Sequence, residues 1–254
     1  MIISAAPLFT GLRRRAQKEF SMNALETAMR QSARDIGCEP EDFLKAANTV
    51  VISSPRPDAK VYLQKPQDFF LVKYGSCEVV AVNEKIYEPM VEYFANNEYL
   101  NVAGLSDFGL KVSYQTIHYL PTDKQTALTC RYETKVLHPA DFAGLYLPKW
   151  SNALCEKRKE LDMLAVGAYD GEKLIGLAGA SKDCEDMWQI GIDVLPEYRM
   201  QGIASALTSQ LSEEIKKLGK LPFYTTNFGN VSSMKNAHKC GFKPAWIQIQ
   251  ADFV

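Results

Sequence analysis

Residues 190–219 read IGIDVLPEYRMQGIASALTSQLSEEIKKLG, a β-like run that passes through a short turn straight into a helix. In the helix, Ile203, Leu207, Leu211, Ile215 and Leu218 fall on one stripe, Glu213 and Lys217 form an i,i+4 pair, and Gly219 can close the end. Around Arg199-Met200-Gln201-Gly202-Ile203-Ala204 the demands are different. Gly202 carries no side chain and Ala204 a small one, so backbone N–H groups at the helix start can approach a ligand closely. Those donors, at the positive end of the helix dipole, suit a diphosphate. Alone, Arg-x-x-Gly-x-Ala is a weak pattern, because a glycine turn and a small packing residue also arise for structural reasons.

The flanks supply the context. Before the run, strands are expected at residues 163–169 and 173–181 around the turn Asp170-Gly171, and at 188–194. Further back, 128–137 reads as a strand, and 139–145 and 149–161 as helices. After the run come a short strand at 223–226, a helix at 232–239 and a final strand at 246–253. This alternation calls for an α/β fold, of the α+β kind with a mixed sheet.

The first half is less regular. Leu25, Ala28 and Met29 mark an apolar helical stripe that Gly37 stops, and Pro40 among acidic residues opens a second short helix. Residues 49–52, 69–73, 78–82 and 111–120 are β-rich, and 84–95 has helical spacing with a kink expected at Pro89. The stretch PTDKQ, residues 121–125, is the most loop-like near the middle. It divides the chain into an N-terminal α/β region, residues 1–127, and a second domain, residues 128–254.

The glycine turn follows a strand ending in Val194-Leu195-Pro196-Glu197-Tyr198. A strand and a helix later come Asn230-Val231-Ser232-Ser233 and then Lys239-Cys240-Gly241-Phe242. In this arrangement the second half resembles the GNAT superfamily of N-acetyltransferases, whose signature is an (Arg/Gln)-x-x-Gly-x-(Gly/Ala) turn after the fourth strand. The likeness extends over residues 129–254 by order of elements, and leaves the N-terminal half uncovered. It implies an acyl-CoA N-acyltransferase fold with an acetyl-CoA site between two splayed strands. The backbone of Arg199, Met200, Gln201, Gly202, Ile203 and Ala204 would hold the pyrophosphate, and the strand near Ile192 and Val194 would pair with the pantetheine arm. Asn230 and Ser233 match positions that commonly bind the cofactor, although either can also serve as a helix N-cap.

Catalysis is harder to place. Acetyl transfer needs a neutral amine, a polarised thioester carbonyl and a proton for the departing thiolate. Where many relatives carry a glutamate base this chain has Trp188-Gln189, and where a tyrosine acid often stands it has Ala237. Asp193 is the best remaining strand carboxylate and the candidate base, against its use as a structural acceptor at the sheet. His238 is expected at the surface, and His118 and His138 lie outside the motifs.

Composition bounds the partners. The 254 residues are 46% hydrophobic and 23% charged with a net charge of -1, which gives no electrostatic warrant for a nucleic acid or an anionic membrane. The six cysteines form no CxxC pair, so no metal site is expected. In residues 1–20 the apolar run precedes the basic cluster, the reverse of a secretory signal, and a cytoplasmic location is the default expectation. The expected activity is transfer of an acetyl or other short acyl group from acetyl-CoA to an amine of a small molecule or peptide. The alternative is a non-catalytic acyl-CoA-binding regulatory module. The N-terminal region would shape the acceptor site or mediate homodimerisation.

Overall fold

A computed structural model describes residues 23–123 and 128–254. The leader reading of residues 1–20, and the loop reading where it falls on residues 124 and 125, lie outside the described part.

The fold is a mixed α/β architecture on one ten-stranded sheet. In chain order the strands are β1 (Thr49–Ile52), β2 (Phe69–Tyr74), β3 (Cys77–Val82), β4 (Leu110–Pro121), β5 (Glu133–Leu137), β6 (Asp162–Asp170), β7 (Lys173–Ser181), β8 (Met187–Val194), β9 (Leu221–Asn227) and β10 (Phe242–Phe253). Across the sheet they run β1-β3-β2-β10-β4-β9-β8-β7-β6-β5. Among the described residues only β1/β3 and β8/β9 are parallel pairs. The two halves of the chain are interleaved: β10 lies between β2 and β4, and β4 lies between β10 and β9.

Among the described residues four α-helices cover the sheet: α1 (residues 23–36), α2 (Tyr87–Asn96), α3 (Ile203–Lys217) and α4 (Val231–Lys239). The α1 face is built from Ala24, Ala28, Met29, Ala33 and Ile36, while Leu25 is exposed. Pro89 does not kink α2, because it sits in the first turn, where its missing N–H has no intrahelical partner to lose. Ile203, Leu207, Leu211 and Ile215 of α3 are buried against β6, β7 and β8, as their spacing requires, whereas Leu218 is exposed beyond the last turn.

The segment between β5 and β6 departs from expectation. Instead of two helices it forms short 3-10 turns at Pro139–Asp141, Pro148–Trp150 and Glu156–Leu161. Phe142, Trp150, Ala153 and Leu154 bury themselves against Ala165 and Leu177 on the sheet. The reason lies in the glycines beneath. A Cβ on Gly191 would stand 1.7 Å from the Asn152 carbonyl oxygen, and one on Gly179 would stand 1.8 Å from that of Ala153. Gly179 and Gly191 are cross-strand neighbours, so together they form a flat seat for the loop. The Asn152 amide then donates to the Asp193 carboxylate, and the Ala153 amide is shared between that carboxylate and the Trp150 carbonyl, so the segment stays in short turns. Residues 128–132 likewise leave the expected strand, drawn toward α3 by contacts such as Leu128 N–H to Ser209 Oγ at 3.3 Å.

Candidate active site between the splayed strands

Strands β8 and β9 pair in parallel only from Met187/Leu221 to Ile190/Tyr224. Beyond that point β8 continues to Val194 beside β7, and β9 continues to Asn227 beside β4. The two therefore diverge, and a groove of about 890 Å³ opens from Gln189 and Tyr224 toward the first turn of α3.

At its far end the backbone is shaped to donate. Met200 takes a left-handed conformation at φ 61° and sends its side chain fully into solvent, and Gly202 follows at φ 81° as the N-cap of α3. The left-handed region costs an ordinary residue about 1–2 kcal/mol, which accounts for glycine at position 202. The first protein bond into the turn is Ala206 N–H to the Gly202 carbonyl at 3.0 Å. The amides from Met200 to Ser205 have no acceptor among the described residues, as expected for a helix start that receives a ligand. Two cations frame this nest. The Lys239 ammonium stands 3.9 Å from where a Cβ on Gly202 would be, and Arg199 donates through Nε to the Val194 carbonyl at 3.2 Å. Arg131 and the Tyr132 hydroxyl both donate to Gln201 Oε1 and fix that side chain beside the turn. Diphosphate chemistry fits this donor set: free amides, a helix dipole and nearby cations.

Both walls are braced from behind. Asn230 caps α4 by accepting the Ser233 N–H at 3.0 Å, and the Ser233 hydroxyl pairs with the Tyr224 phenol at 2.9 Å. Asn236 links α3 to this network, accepting from Ser205 Oγ at 2.9 Å and donating to Thr208 Oγ1 at 3.1 Å. Burial holds the Tyr224 phenol above its ordinary pKa, so it stays protonated at neutral pH. On the opposite wall, Asp193 accepts from Asn152 Nδ2 at 2.6 Å, Asn152 N–H at 2.8 Å and Ala153 N–H at 3.0 Å. Its carboxylate is thus the tether of the loop seated on Gly179 and Gly191.

Ile192, Asp193, Val194, Arg199, Met200, Gly202, Ile203, Ala204, Asn230 and Ser233 all line this one groove, and Gln201 belongs to the same turn. Gln189 lines it as well, while Ala237 is buried in α4. Asn152, Tyr224, Thr225 and Lys235 also line the groove without having been singled out in the sequence, and Lys239, quoted there only as the start of the Lys239-Cys240-Gly241-Phe242 run, joins them. The alternation on β9 could have marked Tyr224 and Thr225 once the splay was placed; nothing local marks Asn152.

The model of the acetyltransferase (GNAT) family matches residues 131–242, a span that contains β8, the glycine turn, α3, β9 and α4. This stretch is a GNAT acetyltransferase domain. GNAT enzymes are acyltransferases that bind acyl-CoA and act on amine acceptors, and the match covers the groove from end to end. A search of curated proteins finds no match. Among solved structures, a GNAT-family acetyltransferase from Colwellia psychrerythraea is 14% identical, with a TM-score of 0.48, over 76% of this chain and 67% of its own. A GCN5-related N-acetyltransferase-like protein from Streptococcus suis is 16% identical, with a TM-score of 0.46, over 75% and 86%. A GCN5-related N-acetyltransferase from Kribbella flavida is 12% identical, with a TM-score of 0.41, over 59% and 62%, so this chain spans less than two thirds of that protein. Likenesses at these scores add no weight to the family match. Among the described residues no helix is long and apolar enough to cross a membrane.

Proposed function

We propose that this GNAT domain transfers an acetyl group from acetyl-CoA to a primary amine of a small molecule or peptide, by direct attack with both bound in the groove. The observation that carries this reading is the separation of β8 from β9 after Ile190 and Tyr224, which leads straight into the unpaired amides of Met200 to Ser205. When bound, acetyl-CoA supplies an acetyl group already activated as a thioester. The chain's own residues bind and orient. The turn amides, with Lys239 beside them, would hold the diphosphate; Ile192 and Val194 would flank the pantetheine arm; Asn230 and Ser233 would line the opposite side. Tyr224 offers a protonated hydroxyl inside the groove, positioned by Ser233. Asp193, whose carboxylate is taken up by three donors, acts in this reading as an anchor for the acceptor-side loop. Residues 1–127 contribute to the acceptor side through β4, the strand next to β9.

One observation favours a second reading, a non-catalytic acyl-CoA-binding module: Gln189 and Ala237 cannot exchange a proton at working pH, and Asp193 is tethered. Calorimetry with acetyl-CoA tests the shared premise, and thiol release with a panel of amines separates the two. Gly202→Glu is expected to abolish cofactor binding by placing bulk and negative charge in the cradle. Gly202→Ala, which meets no atom nearer than the Lys239 ammonium, controls for backbone strain. Wild-type affinity in a folded Gly202→Glu variant would put the cradle elsewhere.

A further inference from the structure

Position 225 is the first on β9 past its last pair with β8, so Thr225 stands at the fork of the two strands. It lines the groove and is half-buried. Directly opposite it in the β4/β9 register is His118, only 3% exposed. The ring is clamped. It stacks on Trp246 with centroids 4.6 Å apart and planes 11° apart, and Phe223 lies beyond at 6.2 Å. Each ring nitrogen lies against a hydroxyl, Nδ1 3.0 Å from Thr225 Oγ1 and Nε2 3.0 Å from Thr116 Oγ1, and the Gln248 side chain also stands against the ring. Burial, with the Lys60 ammonium nearby, holds the imidazole pKa well below its ordinary value, so the ring is neutral.

A neutral imidazole has one donor and one acceptor nitrogen. The geometry points to Thr225 as the residue that accepts a hydrogen bond from the substrate amine, with His118 as the positioning residue that orients its hydroxyl. In the Nε2–H tautomer, the ring donates to Thr116 and accepts from Thr225 through Nδ1. The Thr225 hydrogen is then directed back into the sheet, and its oxygen presents lone pairs to the groove. An amine N–H meeting those lone pairs is held at the fork with its own lone pair free for attack. The stacked, buried ring cannot rotate to release the hydroxyl. This inference rests on the acetyltransferase reading and names the group that would hold its acceptor. It involves no proton transfer.

Two measurements on the full chain test it. The first needs no substrate: 15N NMR of the histidine rings, assigned with a His118 variant, should show Nδ1 unprotonated and Nε2 protonated. A protonated Nδ1 overturns the inference. The second uses acetyl-CoA with hydroxylamine as a small amine probe, following hydroxamate formation, and measures acetyl-CoA affinity by calorimetry. Loss of one hydrogen bond in Thr225→Val should lower kcat/KM for the amine about tenfold. Acetyl-CoA affinity should stay within about threefold, and Thr225→Ser should restore the rate. In the Thr225→Val background, His118→Asn should cost nothing further, a non-additivity that a merely structural ring would not produce. An unchanged amine kcat/KM in folded Thr225→Val sinks this inference alone. Wild-type protein that binds acetyl-CoA yet forms no hydroxamate sinks the acetyltransferase reading and this inference with it. Absence of acetyl-CoA binding removes the premise of both.

Discussion

Replacing Gly191 by alanine should detach the loop that brings Asn152 to the groove. The added Cβ would sit 1.7 Å from the Asn152 carbonyl oxygen, where ordinary contact begins at 3.4 Å, so the loop or the strand must shift by about 1.7 Å. β8 is fixed at this point by its pairing with β7, which leaves the loop to move. The three bonds from Asn152 and Ala153 to Asp193 span 2.6 to 3.0 Å and cannot survive such a shift. Hydrogen bonds to a charged group contribute about 1.5–3 kcal/mol each. Water will recover part of this at a half-buried carboxylate, so a net loss of about 3–5 kcal/mol is expected, a large share of a typical total of about 5–15 kcal/mol. Urea unfolding measures it, with Gly144→Ala as the control: a Cβ there meets nothing within 4 Å, and a change within about 0.5 kcal/mol is expected. In transfer assays, KM for the amine should rise while acetyl-CoA affinity holds, because Asn152 lines the groove without being part of the glycine turn. A Gly191→Ala protein as stable as wild type would refute the seating of the loop.

Asp193→Asn should turn an amide NH2 toward one of the three donors and lower stability by about 2–4 kcal/mol, while the pH–rate profile keeps its shape; disappearance of a limb of that profile would make Asp193 a base after all. Burial pushes the Asp162 carboxyl up from 3.8 to about 6, so the folded state binds more protons than the unfolded state between these values. Its contribution is fully present below pH 4 and is lost as pH rises through 6, at most about 3 kcal/mol. Asp162→Asn should flatten that part of the stability–pH curve, and an unaltered slope in urea titrations would assign it to other groups.

The cofactor side of the site was legible because its chemistry is local. The strand, the glycine turn and the stripe of α3 fall within thirty consecutive residues, and each follows from spacing or from the backbone freedom of Gly202. The part of the groove around Asn152 and Thr225 was hidden because it is assembled from distant segments. Asn152 reaches the groove through a loop whose apolar spacing mimics helices but whose amides are captured by Asp193, 41 and 40 residues away. His118 lay outside every motif and meets Thr225 only through the pairing of β4 with β9, across a separation of 107 residues. Periodicity identified β4 as a strand, but no local pattern states which strand it will lie beside.

That pairing bears on how far the GNAT domain stands alone, and a fragment of residues 128–254 tests it. Both sheet neighbours of β10 come from the first half of the chain, since β2 flanks it on one side and β4 on the other. Removing residues 1–127 would leave β10 with no partner strand and strip the outer edge of β9 as well. Trp246, Ile249 and Phe223, all buried in the full chain, would lose cover supplied by the first half. At about 1.5–3 kcal/mol for each large apolar side chain, the loss is about 4.5–9 kcal/mol, comparable to the whole stability of a typical domain. An unpaired strand rich in apolar residues also invites edge-to-edge association. The fragment is therefore expected to aggregate and to bind no acetyl-CoA, although it contains the complete family match and every residue of the phosphate cradle. Co-expression of the 1–127 and 128–254 pieces should restore a soluble complex that binds cofactor, because the interleaved strands can still assemble. A 128–254 fragment that unfolds cooperatively and binds acetyl-CoA as tightly as the full chain would show that β4 and β2 are dispensable to the site, and would leave His118 without a part in it.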